Sequence, residues 1–264
     1  MESELFVGPG HDNDGGPPIF VSHHRAAGAV FAVLAPALFE EQARTRKLLV
    51  NLARDLAAAG IDAVRFDYPG TGLSEGTTER LTLTAAFDAL RRAVDYCHQQ
   101  GAAQVHLFGF RFGGYLALTA LPRLPVSRAV VWEPVLDLSA HFQELLRVEM
   151  TNQMVTFGKV RRGRDELVAS LRAGHPELVD GNRIGPTLHR ELEAAPAVDL
   201  DRLAAFADRL RILVWDGKKV HDAATRAGLA SVVVPDVKFS WKHIRVLEPR
   251  STALFRETVH ALEA

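Results

Sequence analysis

The stretch from residue 104 to 118 (QVHLFGFRFGGYLAL) constrains the fold of this chain more than any other. An apolar run that is typical of a buried strand leads into a turn bounded by Gly109, Gly113 and Gly114, and a helix-like run of small and apolar residues follows. Glycine lacks a Cβ atom, so a strand and a helix can approach each other closely at such a turn. The sequence therefore predicts a strand, a tight turn and a helix in direct succession.

The spacing of this turn matches the Gly-x-Ser-x-Gly nucleophile elbow, in which a strained turn presents a serine to an active site. Here the serine position holds Arg111. A guanidinium stays protonated at physiological pH and has no lone pair with which to attack a carbonyl. The pattern therefore excludes an acyl-enzyme at this position and indicates that Arg111 binds an anion or a carboxylate.

Strands and helices are expected to alternate around this turn. The predicted strands cover residues 4–7, 18–23, 30–34, 61–66, 104–109, 128–132, 211–215 and 232–234, and the predicted helices cover 42–59, 83–99, the stretch from the turn to about 121, and 249–262. This order favours parallel strands with right-handed crossovers. The first two strands, joined by a turn-rich linker at 11–16, are expected to form an antiparallel hairpin at the edge of the sheet.

Residues 138–207 have a different pattern, with helical periodicity and no convincing strand. Within them, residues 158–196 are polar and charged and contain scattered glycine and proline, which is typical of a mobile lid. The expected organisation is an α/β core made of residues 1–137 and 208–264, with residues 138–207 inserted as a helical cap.

Composition narrows the classes of function. The formal net charge is −1, and the single short basic run is KVRRGR at 159–164, so a general role in binding nucleic acid or a membrane surface has little support, and the run is interpreted as a solvated loop. The sole cysteine, Cys97, excludes an internal disulfide, and no signal peptide or apolar run of membrane-spanning length is visible. The expectation is a cytoplasmic protein without an integral membrane segment.

No metal or cofactor is expected. His23 and His24 are adjacent and therefore point to opposite sides of a strand, and no histidine pair has the i, i+4 spacing of a helical metal site. The glycine-rich loop 67–76 (DYPGTGLSEG) lacks both the Lys-Ser/Thr ending of a phosphate-binding loop and the three-glycine spacing of a dinucleotide fingerprint. It is interpreted as a compact structural loop beside the site.

The chain resembles the α/β hydrolases, and specifically the exosortase A system-associated hydrolase 2 proteins of bacteria. The similar segments are 36–47 (PALFEEQARTRK), 67–74 (DYPGTGLS), 109–114 (GFRFGG), 132–137 (WEPVLD) and 145–147 (LLR). That family shares an arginine at the nucleophile position. The resemblance implies an α/β-hydrolase fold in bacteria that make exopolysaccharide and sort proteins with an exosortase, and it supplies no demonstrated reaction.

A hydrolase triad has the chain order nucleophile, acid, histidine. His243 lies between the last predicted strand and the last predicted helix, where this fold places its histidine, and Asp216 directly follows the strand 211–215, with Asp222 as a second choice. The oxyanion loop is altered, because Pro36 follows the strand 30–34 and proline has no N–H to donate.

The expected partner of Arg111 is a carboxylate. Glu40 or Glu41, in the loop that faces the elbow, could form either a closed structural ion pair or an open receptor for an anion. Glu133, directly after the strand 128–132, is a further candidate, and together with His243 it could activate a water molecule. Phe110 and Phe112 flank the arginine and are expected to line the binding site with it.

Two functions remain open from the sequence. One is an atypical hydrolase that acts on an ester, thioester or acyl substrate, with Arg111 orienting an anionic group and His243 as the base. The other is a catalytically inactive protein that binds an acyl or carboxylate ligand, or a partner, in the cleft where an α/β hydrolase has its active site. The sequence also leaves open a homodimer.

Overall fold

The structure is a computed structural model that describes residues 2–8, 16–235, 237 and 251–263. Its main sheet contains strands β1 (Glu2–Val7), β2 (Ile19–His24), β3 (Val30–Ala35), β4 (Asp62–Phe66), β5 (Gln104–Phe110), β6 (Arg128–Trp132), β9 (Leu210–Val214) and β10 (Ala230–Val233). The helices are α1 (Phe39–Ala58), α2 (Leu83–Gln99), α3 (Phe112–Ala120), α4 (Leu138–Phe157), α5 (Arg164–Arg172), α6 (Pro186–Ala194), α7 (Leu200–Leu203), α8 (Lys218–Arg226) and α9 (Thr252–Glu263). A small second sheet pairs β7 (Glu177–Val179) with β8 (Asn182–Ile184).

The main sheet has eight strands in the order β1-β2-β4-β3-β5-β6-β9-β10. Strands β3, β4, β5, β6, β9 and β10 run parallel to one another, whereas β2 is antiparallel to both β1 and β4. The predicted mostly parallel sheet is confirmed, and the antiparallel hairpin lies at its edge as expected. Because parallel strands end at the same side of the sheet, the residues after β3, β5, β6 and β9 come together there.

Helices cover both faces of the sheet. Helices α1 and α9 pack on one face, and α2, α3 and α8 contribute to the core of the other. The central strand β5 is buried from its second residue to its last, which is typical of a strand covered on both sides. Its apolar side chains alternate between the two cores, with Leu107 on the α2 side and Phe108 on the α1 side. This double packing fixes the end of β5, from which the central turn begins.

Residues 138–207, between β6 and β9, hold four helices and the β7–β8 hairpin. The expectation of no strand there was wrong. The hairpin strands are only three residues long, and in β7 the apolar Leu178 is exposed while the charged Glu177 is buried, so the sequence has no alternation of apolar and polar residues to detect. The stretch 158–196, expected to be a mobile lid, contains α5, the hairpin and all of α6. Helix α8 was also not predicted.

Two predictions concern residues that lie outside the described part of the chain. They are most of the turn-rich linker 11–16 and the candidate catalytic histidine, His243.

Among the described helices, none combines the length and the apolar character needed to cross a bilayer.

Candidate functional site

Arg111 occupies a strained turn between β5 and α3. Its backbone angles are φ 53° and ψ −112°, a conformation that non-glycine residues rarely adopt and that costs roughly 1–3 kcal/mol. The neighbouring glycines are required by close packing, because a Cβ on Gly109 would lie 2.7 Å from the Cα of Gly114 and a Cβ on Gly114 would lie 2.8 Å from the Cβ of Pro134. The predicted turn, with Arg111 at its tip, is therefore present.

The backbone around the turn holds Arg111 in this conformation. Its N–H donates to the carbonyl of Trp132 at 3.1 Å, and its carbonyl accepts from the N–H groups of Tyr115 and Val135. The strain is therefore balanced by hydrogen bonds to β6, to the residues after β6 and to the next turn of α3. This leaves the side chain directed at the space beyond the strand ends.

The guanidinium of Arg111 connects three elements. Its Nε lies 3.2 and 3.3 Å from the two carboxylate oxygens of Glu41 in α1, and one terminal nitrogen lies 3.4 Å from the carbonyl oxygen of Glu133 after β6. The other terminal nitrogen lies 3.4 Å from Nδ1 of His141 and 3.7 Å from Oε2 of Glu144, both in α4. Arg111 thus ties α1 and α4 to the carboxyl end of the sheet.

Of the two candidate glutamates, Glu41 is the one in contact with Arg111. The side chains of this pair are 10% and 12% exposed, so the contact is largely shielded from water. Glu40 instead pairs with Arg44 one turn further along α1, on a more exposed face. Both glutamates lie in the first turn of α1 and not in the preceding loop, and acidic residues at that end of a helix are stabilised by its dipole.

Glu133 is buried and bound to backbone groups. Its Oε1 accepts the N–H groups of Trp215, Asp216 and Gly217 at 2.5, 2.6 and 3.0 Å. The carboxylate thereby holds the chain between β9 and α8 against the end of β6. Oε1 is therefore engaged in positioning a loop. This role favours a structural interpretation of Glu133 over its predicted role as a base that activates water.

Asp216 lies at the rim of the site. It follows β9, is exposed, and contributes to the cavity wall described below. Asp222, the second choice for the acid, is exposed on α8 and does not line that cavity. Because His243 is outside the described residues, the structure does not relate either aspartate to it.

Phe110 and Phe112 lie away from the cavity. Phe110 is fully buried and packs against Trp132 and Trp215 in the core beneath α1 and α9. Phe112 is buried in the opposite core, where its ring meets the edge of Tyr68 at 5.5 Å between centroids. The expectation that they line the site is corrected, since the turn directs the rings before and after Arg111 into the cores on opposite faces of the sheet.

A cavity of about 660 Å³ lies in front of Arg111. It is bounded by the ends of the sheet strands and by one face of α4, and the charged groups on its wall are Glu41, Arg44, Arg111, Glu133, Glu144, Arg147, Asp180 and Asp216. Leu145, Val148 and Val220 add apolar surface. A volume of this size accommodates a small organic ligand, and the wall offers both signs of charge.

His141 and Glu144 are site residues that sequence reasoning missed. His141 is buried beside Arg111, and Nδ1 of its ring lies 3.7 Å from Oε2 of Glu144. The close approach of His141 lowers the pKa of Glu144, against the opposing effect of partial burial, and Arg111 adds to the lowering. The detectable signal was their spacing in α4: Leu145 and Val148 follow His141 and Glu144 by four residues each, which puts the four side chains on the helix face that lines the cavity.

Within the part of the chain that the structure describes, no three His, Cys, Asp or Glu side chains are grouped as a metal site would require. His23 and His24 have separate neighbours: Nε2 of His23 lies 2.8 Å from Asp62, and Nε2 of His24 lies 3.2 Å from Nε of Arg65.

Known structures with the same architecture span the whole chain. The α/β hydrolase GrgF from Penicillium sp. sh18 is 16% identical, with a TM-score of 0.67 over 100% of this chain and 98% of that one. DcsB, solved in complex with its substrate analogue, is 13% identical, with a TM-score of 0.66 over 100% and 98%. A putative hydrolase from Agrobacterium vitis S4 is 17% identical, with a TM-score of 0.61 over 99% of each chain.

No family model matches the chain, and no curated protein matches it either. The similarity to solved structures confirms the expected α/β-hydrolase fold. At these identities it shows the fold alone.

Proposed function

We propose that this protein is a non-covalent ligand-binding member of the α/β-hydrolase fold, in which Arg111 replaces the nucleophile and the adjacent cavity takes a small acyl or carboxylate ligand. The observation that carries the proposal is the position of Arg111. Its backbone has the strained elbow conformation, while its guanidinium occupies the space in which a nucleophile would act.

The charge pattern supports a carboxylate in the cavity. The contact of Arg111 with Glu41 is shielded, whereas Glu144 is 57% exposed at 3.7 Å from the outer guanidinium nitrogen. An ion pair that is exposed and long contributes little free energy. A ligand carboxylate can therefore displace Glu144 from this nitrogen and leave the inner pair with Glu41 intact, with Arg44 and Arg147 as further cations on the wall.

The proposal includes three expectations from the sequence. Residues 138–207 act as a cap, since α4 forms one wall of the cavity. The ligand belongs to the exopolysaccharide or exosortase setting that the resemblance implies. The binding reaction requires neither a metal nor a cofactor.

The second candidate function is hydrolysis by an activated water molecule. Two observations favour it: Asp216 follows β9 at the cavity rim, and His141 lies within reach of both Arg111 and Glu144. In this mechanism His141 or His243 takes a proton from water as the water attacks an acyl carbonyl, and Arg111 stabilises the charge on the carbonyl oxygen. The leaving group then accepts the proton, and no bond forms to the protein.

One experiment separates the two functions. The protein is screened by thermal shift against carboxylates of increasing chain length and assayed against p-nitrophenyl esters and acyl thioesters. Ligand-dependent stabilisation without turnover supports binding. Turnover that disappears in His141→Gln or in His243→Ala supports hydrolysis and identifies the base, and the absence of both ligand-dependent stabilisation and turnover contradicts the proposal.

A charge variant sharpens the test of binding. Replacing Glu144 by Gln removes the competing carboxylate and should tighten carboxylate binding by up to about fivefold, which corresponds to about 1 kcal/mol for the displaced pair. Glu257→Gln is the control, since it removes an exposed carboxylate of α9 that is not on the cavity wall.

A further inference from the structure

The C-terminal end of α4 exposes apolar side chains to solvent. Val155 is 82% exposed, Met154 51%, Phe157 44% and Val160, in the following turn, 41%. Single exposed apolar residues are common, but four within seven positions form a concentration that marks an interaction surface. We call residues 154–161 the α4 tip.

The α4 tip is an ordered structure. Gly158 ends the helix in the left-handed conformation, and its N–H donates to the carbonyl of Met154 at 2.9 Å. The buried side chain of Gln153 then accepts the N–H groups of Arg161 and Arg162 at 2.7 and 3.0 Å and donates to the carbonyl of Arg162. These bonds hold the turn in place and present its side chains outward.

Basic side chains lie among the exposed apolar side chains of the α4 tip. Lys159 and Arg161 are exposed, and the guanidinium of Arg161 lies 3.6 Å from the centre of the Phe157 ring. Arg162 is paired with Glu177 and Arg164 with Asp165, so these two contribute less net charge to the surface. Glu166 turns its carboxylate back onto the N–H of Gly163.

We propose that the α4 tip docks on the surface of an anionic phospholipid membrane. Val155, Phe157 and Val160 enter the boundary between headgroups and acyl chains, while Lys159 and Arg161 reach the lipid phosphates. Charge complementarity selects the membrane over a second copy of this chain, because pairing two tips would bring the cations of each against those of the other. Nucleic acid fits poorly, since its phosphate backbone offers no apolar layer for the exposed side chains.

The tip is continuous with the cavity wall. Thr151 lines the cavity, and Val155 follows it by four residues on the same face of α4, about 6 Å further along the axis. A protein docked through the tip therefore holds its cavity close to the lipid surface, where amphiphilic acyl compounds are found. The docking itself does not depend on the proposed ligand.

The test is co-sedimentation with phospholipid vesicles, without any added ligand. The protein should bind vesicles of phosphatidylcholine mixed with phosphatidylglycerol, bind pure phosphatidylcholine more weakly, and dissociate as salt is added. Val155→Asp/Phe157→Asp should lower the partition coefficient by at least about tenfold. Lys159→Ala and Arg161→Ala should each lower it by about fivefold on the mixed vesicles.

Matched controls lie elsewhere on the surface. Val233→Asp alters an exposed apolar residue of β10, and Lys219→Ala/Arg226→Ala removes two exposed cations of α8, so neither should change vesicle binding. Unchanged melting temperatures show that the tip variants remain folded. Equal sedimentation of the wild type and Val155→Asp/Phe157→Asp overturns the proposal, as does no sedimentation of the wild type above background.

Size-exclusion chromatography tests the alternative that a second copy of this chain covers the α4 tip. A dimer that becomes a monomer in Val155→Asp/Phe157→Asp would show that the tip joins two copies of the chain and would contradict the membrane assignment.

Discussion

The carboxylate of Glu41 faces the guanidinium of Arg111 from the first turn of α1, with both of its oxygens within 3.3 Å of Nε. This pair sits at the point where the fold brings together the carboxyl ends of the strands. It has two effects: it neutralises a cation in a shielded position, and it places a negative charge next to the tip of the elbow. Several properties of the protein depend on that arrangement.

Glu41→Gln should destabilise the fold by roughly 3 kcal/mol, because it removes the shielded carboxylate of a largely buried ion pair. Chemical denaturation measures the change in the free energy of unfolding. The neighbouring residue supplies the control: Glu40→Gln removes an exposed i, i+4 pair with Arg44 and should cost less than about 1 kcal/mol. Equal losses in the two variants would contradict a structural role for the inner pair.

Arg111→Ser should not create an esterase. The serine would stand next to the carboxylate of Glu41, whose charge opposes the developing oxyanion, and Pro36 has no N–H with which to stabilise that oxyanion. The variant is treated with a fluorophosphonate probe and with p-nitrophenyl acetate and then analysed by intact-protein mass spectrometry. An acyl or phosphonyl adduct on Ser at this position would refute this prediction.

The sequence predicted the strand–turn–helix around Arg111 correctly because glycine spacing and apolar periodicity are local signals. It also placed Glu41 and Arg111 on facing elements, but it could not choose between Glu40 and Glu41. That choice depends on where α1 begins, and the helix starts at Phe39, three residues earlier than the apolar pattern indicated.

The remaining features depend on tertiary contacts. The role of Glu133 comes from three backbone N–H groups about 80 residues away in sequence, which no local pattern records. Phe110 and Phe112 looked like ligand contacts because they flank Arg111, yet the turn directs them into opposite cores. His141 enters the site only because α4 packs over the strand ends.

Gly217→Ala should destabilise the protein by about 1–3 kcal/mol. A Cβ at this position would collide with the carboxylate of Glu133, and its distance from the carboxylate carbon would be 3.3 Å. The glutamate would have to move and give up N–H bonds that hold the start of α8. Chemical denaturation provides the measurement, and Gly8→Ala, where an added Cβ meets nothing within 4 Å, should change stability by less than about 0.5 kcal/mol.

Stability should fall as the pH drops from about 6.5 to about 4. Burial, together with the nearby Arg128, lowers the pKa of His106 from 6.5 to about 4, so in this range the unfolded chain takes up a proton that the folded chain does not. The stabilising contribution is present in full above the unfolded pKa and is lost as the pH falls towards the folded pKa. It amounts to roughly 3 kcal/mol at most.

His106→Leu should therefore show a shallower decline in unfolding free energy between pH 7 and pH 4.5 than the wild type, as measured by denaturation at each pH. His175→Gln, a change at an exposed histidine, should keep the wild-type decline. Parallel curves for His106→Leu and the wild type would show that His106 does not titrate differently in the two states.

The most direct test of the central claim is calorimetric titration of a carboxylate identified by thermal shift into the wild type and into Arg111→Gln/Glu41→Gln. The double variant replaces an ion pair by two amides that can still hydrogen-bond, so the fold is kept and the cation is removed. The account predicts saturable binding to the wild type that weakens by at least about tenfold in the double variant, as expected for loss of a charge-assisted hydrogen bond. Equal affinity for the two proteins would contradict it.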